Sequence, residues 1–65
     1  MEKNLHTAIA LRKGGEYEKS RELLESLINI EELKARALLN IAWSWDNQGI
    51  EDRAEIYYQA ADRKS

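Results

Sequence analysis

The fold of this chain is constrained most by where its backbone can break. The 65 residues contain no proline, and glycine occurs only at positions 14, 15 and 49. Because glycine and proline interrupt regular structure most strongly, these positions divide the chain into residues 1–13, 16–48 and 50–65. The residues between them are mostly helix formers, and no long stretch alternates apolar with polar side chains. The sequence therefore predicts an all-α fold.

Apolar periodicity and the glycines together predict four helices. The first ends at a left-handed glycine cap, which is either Gly14 or Gly15, and the third ends at Gly49. In the second helix the charged residues, Arg21 among them, occupy the side opposite the apolar stripe. The predicted helices run over about residues 3–13, 16–28, 30–47 and 50–63.

No glycine or proline separates the second helix from the third. Asn29 followed by Glu32 fits a capping box, and Ile28 and Leu33 are spaced for a hydrophobic staple around it. We therefore expect a break at Asn29. A continuous helix over residues 16–48 is the alternative.

The two halves of the chain repeat each other with a period of 34 residues. Gly15 and Gly49 are separated by this interval, as are the pairs Leu5 and Leu39, Ala8 and Ala42, Glu18 and Asp52, and Lys19 and Arg53. A helix–turn–helix unit of 34 residues is the period of the tetratricopeptide repeat. The second copy resembles that family at Leu38, Ile41, Ala42, Trp45, Gly49, Ala54, Tyr58 and Ala61. The first copy matches at Ala8, Leu11, Gly15, Tyr17 and Leu24, and departs at Asn4, Thr7, Ser20, Leu27 and Glu32.

The resemblance, which extends to a group of short bacterial tetratricopeptide proteins, implies a fold and a function. The fold is two stacked antiparallel helical hairpins, a short α-solenoid, forming one domain over residues 1–65 with repeats at about 1–34 and 35–65. The function is protein–protein interaction, because the first helix of each repeat lines a concave face that holds partner peptides. By resemblance, the concave face comprises Leu5, Ile9, Arg12, Lys13, Arg36, Leu39, Asn40, Trp43, Asp46 and Asn47.

Trp43 is the most informative member of the concave face. Trp45 lies two residues later, and residues at this spacing do not share a side of a helix. If Trp45 belongs to the core, Trp43 points elsewhere, and we expect it to be partly exposed in a contact surface. For Leu5 and Leu39, packing between the hairpins is an equally good interpretation.

The end of the second repeat offers a second candidate surface. Stacked repeats normally finish with a polar capping element, and the second repeat is followed by none. The last helix should therefore expose part of Ala54, Tyr57, Tyr58 and Ala61, with Tyr58 in the core and Tyr57 half-exposed. Three interpretations follow: a piece of a longer array, a homo-oligomer formed through this end, or an exchange of hairpins between copies.

Composition narrows the classes of function. The net charge of −2 argues against nucleic acid, and no apolar run approaches the length of a membrane span. Without cysteine, and with His6 as the single histidine, we expect no metal and no cofactor. No catalytic constellation or phosphate-binding loop is present, so we expect a cytoplasmic protein that binds proteins or peptides and is not an enzyme.

Two related functions of helical-hairpin proteins fit this sequence less well. Some members of the family grip a C-terminal carboxylate with a clamp of Lys, Asn and Arg side chains. Asn40 occupies one clamp position, but Leu5 and Ile9 occupy others and a third repeat is missing. A three-helix adaptor of similar size would leave Asn29 or Gly49 without a turn to make.

Overall fold

Four helices make up the part of the chain that the structure describes. This computed structural model covers residues 2–63 and, within them, the side chains of residues 3–62. Met1, Lys64 and Ser65, which the expected domain includes, lie outside the described residues. The all-α class is confirmed, and each boundary lies within one residue of its predicted position. The helices are α1 (Glu2–Lys13), α2 (Tyr17–Leu27), α3 (Glu31–Asn47) and α4 (Glu51–Arg63).

The hairpin turns after α1 and α3 have the same backbone structure. Gly15 and Gly49 adopt positive φ angles of 89° and 81°, which resolves the choice between Gly14 and Gly15. In the first turn the Glu16 N–H donates to the Leu11 carbonyl at 2.8 Å, and the Gly15 N–H donates to the Arg12 carbonyl at 3.1 Å. The same two bonds recur 34 residues later, at 2.9 Å each. Both turns are therefore Schellman motifs, in which the glycine terminates its helix.

The turn between α2 and α3 confirms the predicted break and corrects its cause. The continuous helix is excluded, because residues 28–30 are not helical. The capping box at Asn29 is wrong: the N-cap residue of α3 is Ile30, in an extended conformation, and no side-chain hydrogen bond caps the helix. Ile28 and Ile30 instead pack against the hydrophobic core. Burial of apolar side chains, rather than a polar cap, therefore holds this turn.

The helices pack as two hairpins placed side by side. α1 packs against α2, α3 packs against α4, and α2 packs against α3, with a smaller contact between α1 and α3. The Cα atoms extend over 26 × 26 × 13 Å, which corresponds to a slab two helices thick. The predicted stack of two hairpins is confirmed.

The core lies mainly where α3 meets the first hairpin. Leu24, Leu27 and Ile41 are almost completely buried there, beside the small residues Ala8 and Ala37. The hydroxyl of Ser20, also fully buried, donates to the Ala8 carbonyl at 2.8 Å. A polar residue is therefore accommodated at a position where α1 and α2 approach closely, because its only donor is satisfied.

Candidate functional site

The residues predicted for the concave face include an apolar strip on α1 and α3. Leu39 and Trp43 are one helical turn apart on α3, and Ile9 lies on the neighbouring helix α1. Trp43 is 39% exposed, which confirms its predicted exposure, while Ile9 and Leu39 are half-buried. This strip supplies apolar surface that a second molecule can cover.

A cation lies against the exposed tryptophan. The guanidinium carbon of Arg12 stands 5.3 Å from the centre of the Trp43 ring, within the range of a cation–π contact. Arg12 is half-buried, and its Nε is enclosed without a hydrogen-bond partner among the described residues. The pair therefore joins an apolar ring to a positive charge across the two repeats.

Two predicted members of the concave face are not available to a partner. Leu5 is 3% exposed and belongs to the hydrophobic core, so the packing interpretation is the right one for it. Asn40 is 5% exposed, and its amide nitrogen donates to the Arg36 carbonyl at 2.9 Å. Both residues face inward because α3 packs against the first hairpin.

The remaining members form polar edges around the strip. Lys13, Arg36, Asp46 and Asn47 are exposed. The carboxylate of Asp46 accepts a hydrogen bond of 3.2 Å from the Tyr58 hydroxyl of α4. One edge of the concave face is therefore tied to the last helix.

The opposite side of α3 holds a second tryptophan–arginine contact, much tighter than the first. The guanidinium carbon of Arg21 lies 3.6 Å from the centre of the Trp45 ring. The same guanidinium donates to the Ser44 hydroxyl at 3.1 Å and to the Gln48 side-chain oxygen at 2.7 Å. Arg53 approaches the Trp45 ring at 5.2 Å. These contacts link α2, α3 and α4.

Arg21 lies in a different environment from the one that its sequence position predicts. The helical periodicity places it on the charged side of α2, but it is 9% exposed. Burial lowers the pKa of its guanidinium, and the negative charges of Glu18 and Glu25 oppose that change. The available signal was its position: Arg21 adjoins Ser20 and precedes Leu24 by three residues, so it borders the apolar stripe.

An open groove of about 510 Å³ runs between α3 and α4 at the end of the second repeat. Ala54, one of the residues predicted for self-association, is 2% exposed and lies at its base, and Ala61 is half-buried. Tyr57 is half-buried, as expected, and packs against the core, whereas Tyr58, expected in the core, is also only half-buried and lines the groove. The cause is that α3 covers Leu24, the first-repeat equivalent of Tyr58, whereas no described helix follows α4. The groove is lined by Asp46, Glu51, Ala54, Glu55, Tyr58, Gln59 and Asp62.

The pKa of Tyr58 reflects the charges around the groove. Partial burial raises the pKa of its phenol, and the charge and hydrogen bond of Asp46 raise it further. The positive charge of Arg12 acts in the opposite direction. Tyr58 therefore senses both the acidic groove and the cation of the concave face.

The hairpins, their 34-residue period and the duplicated glycine turns agree with the comparison of this chain with known families. The tetratricopeptide repeat matches it twice, at residues 4–30 and 36–64. The chain belongs to the tetratricopeptide repeat family. Tetratricopeptide repeats are in general protein–protein interaction modules, and the family is non-catalytic. Searches of curated proteins and of solved structures found no match.

The described residues contain neither a membrane-spanning helix nor a metal-binding cluster. Within residues 2–63 no helix combines the length and apolarity needed to cross a bilayer. In the same part of this tetratricopeptide repeat protein, no three His, Cys, Asp or Glu residues cluster as a metal site.

Proposed function

We propose that this tetratricopeptide repeat protein binds a peptide or an amphipathic helix of another protein on its concave face. Trp43 is the anchor, Ile9 and Leu39 extend the apolar contact, and both repeats act as one binding unit. The observation that carries the proposal is the exposure of Trp43 in the apolar strip that it forms with Ile9 and Leu39. Tryptophan and arginine are the residues found most often at the energetic centre of protein interfaces.

Arg12 specifies the chemistry of the partner. Its guanidinium lies over the Trp43 ring, so a side chain that covers the ring also meets a positive charge. Lys13, which is exposed, follows directly in α1. The proposed ligand therefore carries an apolar side chain next to a carboxylate, because a carboxylate accepts charge-assisted hydrogen bonds from arginine.

The test begins with a random peptide library selected on the wild-type protein, followed by calorimetry on the selected peptides. Replacement of Trp43 by alanine should weaken their binding tenfold or more, about 1.4 kcal/mol. Replacement of Arg12 by glutamine should weaken acidic peptides selectively and reduce the salt dependence of their binding.

Ile56 provides the matched control. It is 62% exposed and lies on α4, outside the concave face. The Ile56→Ala variant removes a large exposed apolar side chain as Trp43→Ala does, and it should leave the affinities unchanged. Peptides whose binding depends on Ile56 and tolerates Trp43→Ala would disprove the proposed site.

A further inference from the structure

The charges of this chain are polarised from its first helix to its last. α1 contains Lys3, Arg12 and Lys13 against a single acid, Glu2, for a net charge of +2. α4 contains two arginines, 53 and 63, against four acids, for a net charge of −2. Because these helices form the two ends of the stack, one end of the molecule is basic and the other is acidic.

The acidic end repeats a site that is already occupied in the first hairpin. A shift of 34 residues places Ala54, Glu55 and Tyr58 at the positions of Ser20, Arg21 and Leu24. Arg21 and Leu24 are buried where α3 packs against the first hairpin, and Ser20 is buried where α2 meets α1. The groove between α3 and α4 is therefore the equivalent place for one more helix.

The basic end presents the corresponding helix surface. In α3 the side that enters the first hairpin carries Ala37, Ile41 and Ser44, all buried. The same shift, applied backwards, leads to Lys3, Thr7 and Ala10 of α1. All three are exposed in a single chain, so this side of α1 is free to meet another molecule.

We propose that the acidic groove between α3 and α4 binds α1 of a second copy of this chain, head to tail. The 34-residue period defines the register, and the opposite charges of the two ends define the polarity. In this register Lys3 lies over the groove, where its stem covers apolar surface and its ammonium group reaches the rim carboxylates. The contact is heterologous, so it leaves a free groove and a free α1 at the two ends and permits open-ended growth.

This contact is independent of peptide binding by the concave face. Asp46 is the one residue that belongs to both surfaces, and Trp43, the proposed anchor, does not line the groove. Head-to-tail docking and peptide binding can therefore fail separately.

Sedimentation velocity on the wild-type chain is the first test. The average mass should rise above the 7.6 kDa of one chain as the concentration increases from micromolar to millimolar at low ionic strength. It should fall again when salt is added, because exposed charges attract each other less in concentrated salt. A chain that stays monomeric at every concentration in low salt overturns the proposal. This holds even if the groove binds a lysine-rich helical peptide.

Charge reversal tests the two surfaces. The groove variant Glu51→Lys/Glu55→Lys and the α1 variant Lys3→Glu/Thr7→Glu should each be monomeric where the wild type associates. The chain that carries all four changes should associate again, because attraction is restored in the opposite sense. The control Glu22→Lys/Glu32→Lys makes the same change of charge at exposed residues of α2 and α3, outside the groove, and should associate as the wild type does. Association that survives the groove variant contradicts the proposal.

Amide chemical shifts of the wild type, recorded over a dilution series, do not depend on any variant folding. Shifts that change with concentration should cluster on the outer side of α1, around Thr7 and Ala10, and on the groove, around Glu55 and Tyr58. Changes confined to Ile9 and Trp43 would assign self-association to the concave face and overturn the proposal.

Discussion

The two sides of α3 use the same pair of residue types for different purposes. On one side Arg12 stands 5.3 Å from the Trp43 ring, the ring is exposed, and the Arg12 Nε has no hydrogen-bond partner among the described residues. On the other side Arg21 lies 3.6 Å from the Trp45 ring and also donates side-chain hydrogen bonds to Ser44 of α3 and to Gln48, which directly follows α3. Proximity of arginine to tryptophan is common to both sides, but burial and hydrogen bonding differ.

This difference distinguishes a surface that can bind a partner, on the Trp43 side, from an internal joint on the Trp45 side, where side-chain contacts hold the helices together. Side chains that already satisfy one another, as Arg21, Ser44 and Gln48 do, have little left to offer a partner. The Trp43 side keeps exposed apolar area and a cation beside it. Stability should therefore depend on the Trp45 side, and binding should depend on the Trp43 side.

The largest expected effect comes from the tryptophans themselves. Trp45→Ala should lower the free energy of unfolding by about 3 kcal/mol, because it removes a packed ring and leaves Arg21 without its stacking partner. Trp43→Ala should change that free energy by less than about 1 kcal/mol, since much of its ring is already in water. Urea denaturation followed by circular dichroism measures both. Equal losses in the two variants would remove the distinction between the two sides.

The arginines should reproduce the contrast with smaller effects. Arg21→Ala should cost about 2 kcal/mol, because two charge-assisted hydrogen bonds and the contact with Trp45 are lost. Arg12→Ala should cost less than about 0.5 kcal/mol. Arg21→Met is the informative control for the same urea experiment: it keeps much of the packed stem and should recover part of the loss. A methionine variant as unstable as the alanine variant would show that the charge, and not the packing, holds the joint.

Much of this fold was predictable because residues close together in the sequence determine it. Gly15 and Gly49 determine two turns through their positive φ angles, which side chains other than glycine rarely adopt. The apolar stripes place Leu24 and Ile41 inside by periodicity alone. At Asn29 the position of the break was right and its cause was wrong, because the turn is held by Ile28 and Ile30 packing against a core that forms from distant segments.

The surfaces were less predictable because exposure depends on which helix follows. Leu24 and Tyr58 occupy equivalent positions, yet α3 covers one and no described helix covers the other. Leu5 and Ile9 lie one turn apart on α1, and the packing of neighbouring helices buries one and leaves the other partly open. Arg21 shows the same limit, since its burial requires the approach of Ser44 in α3 and of Gln48 in the turn after it. Spacing within one helix does not contain this information.

The smallest expected effect is the electrostatic coupling between the Trp43 side of α3 and the groove between α3 and α4. The pKa of Tyr58 measures this coupling. Its raised pKa means that the folded state holds the phenol proton more tightly than the unfolded state, whose tyrosines titrate near pH 10. The stability that this difference in pKa contributes is fully present below the pKa of tyrosine in the unfolded state. It is lost as the pH rises through the pKa of Tyr58 in the folded state. In a chain with Tyr17→Phe and Tyr57→Phe, absorbance near 295 nm follows Tyr58 alone.

In that background Asp46→Asn should lower the pKa of Tyr58, because the negative charge that opposes ionisation is removed. The pKa should stay above that of free tyrosine, since burial is the larger cause of the shift and persists in the variant. Arg12→Gln should raise the pKa, because Arg12 favours the phenolate. Asp52→Asn, an equal change of charge outside the groove, should leave the titration unchanged. If Arg12→Gln has no effect while Asp46→Asn does, the cation at Trp43 acts on the concave face alone, and the two candidate surfaces are electrostatically separate.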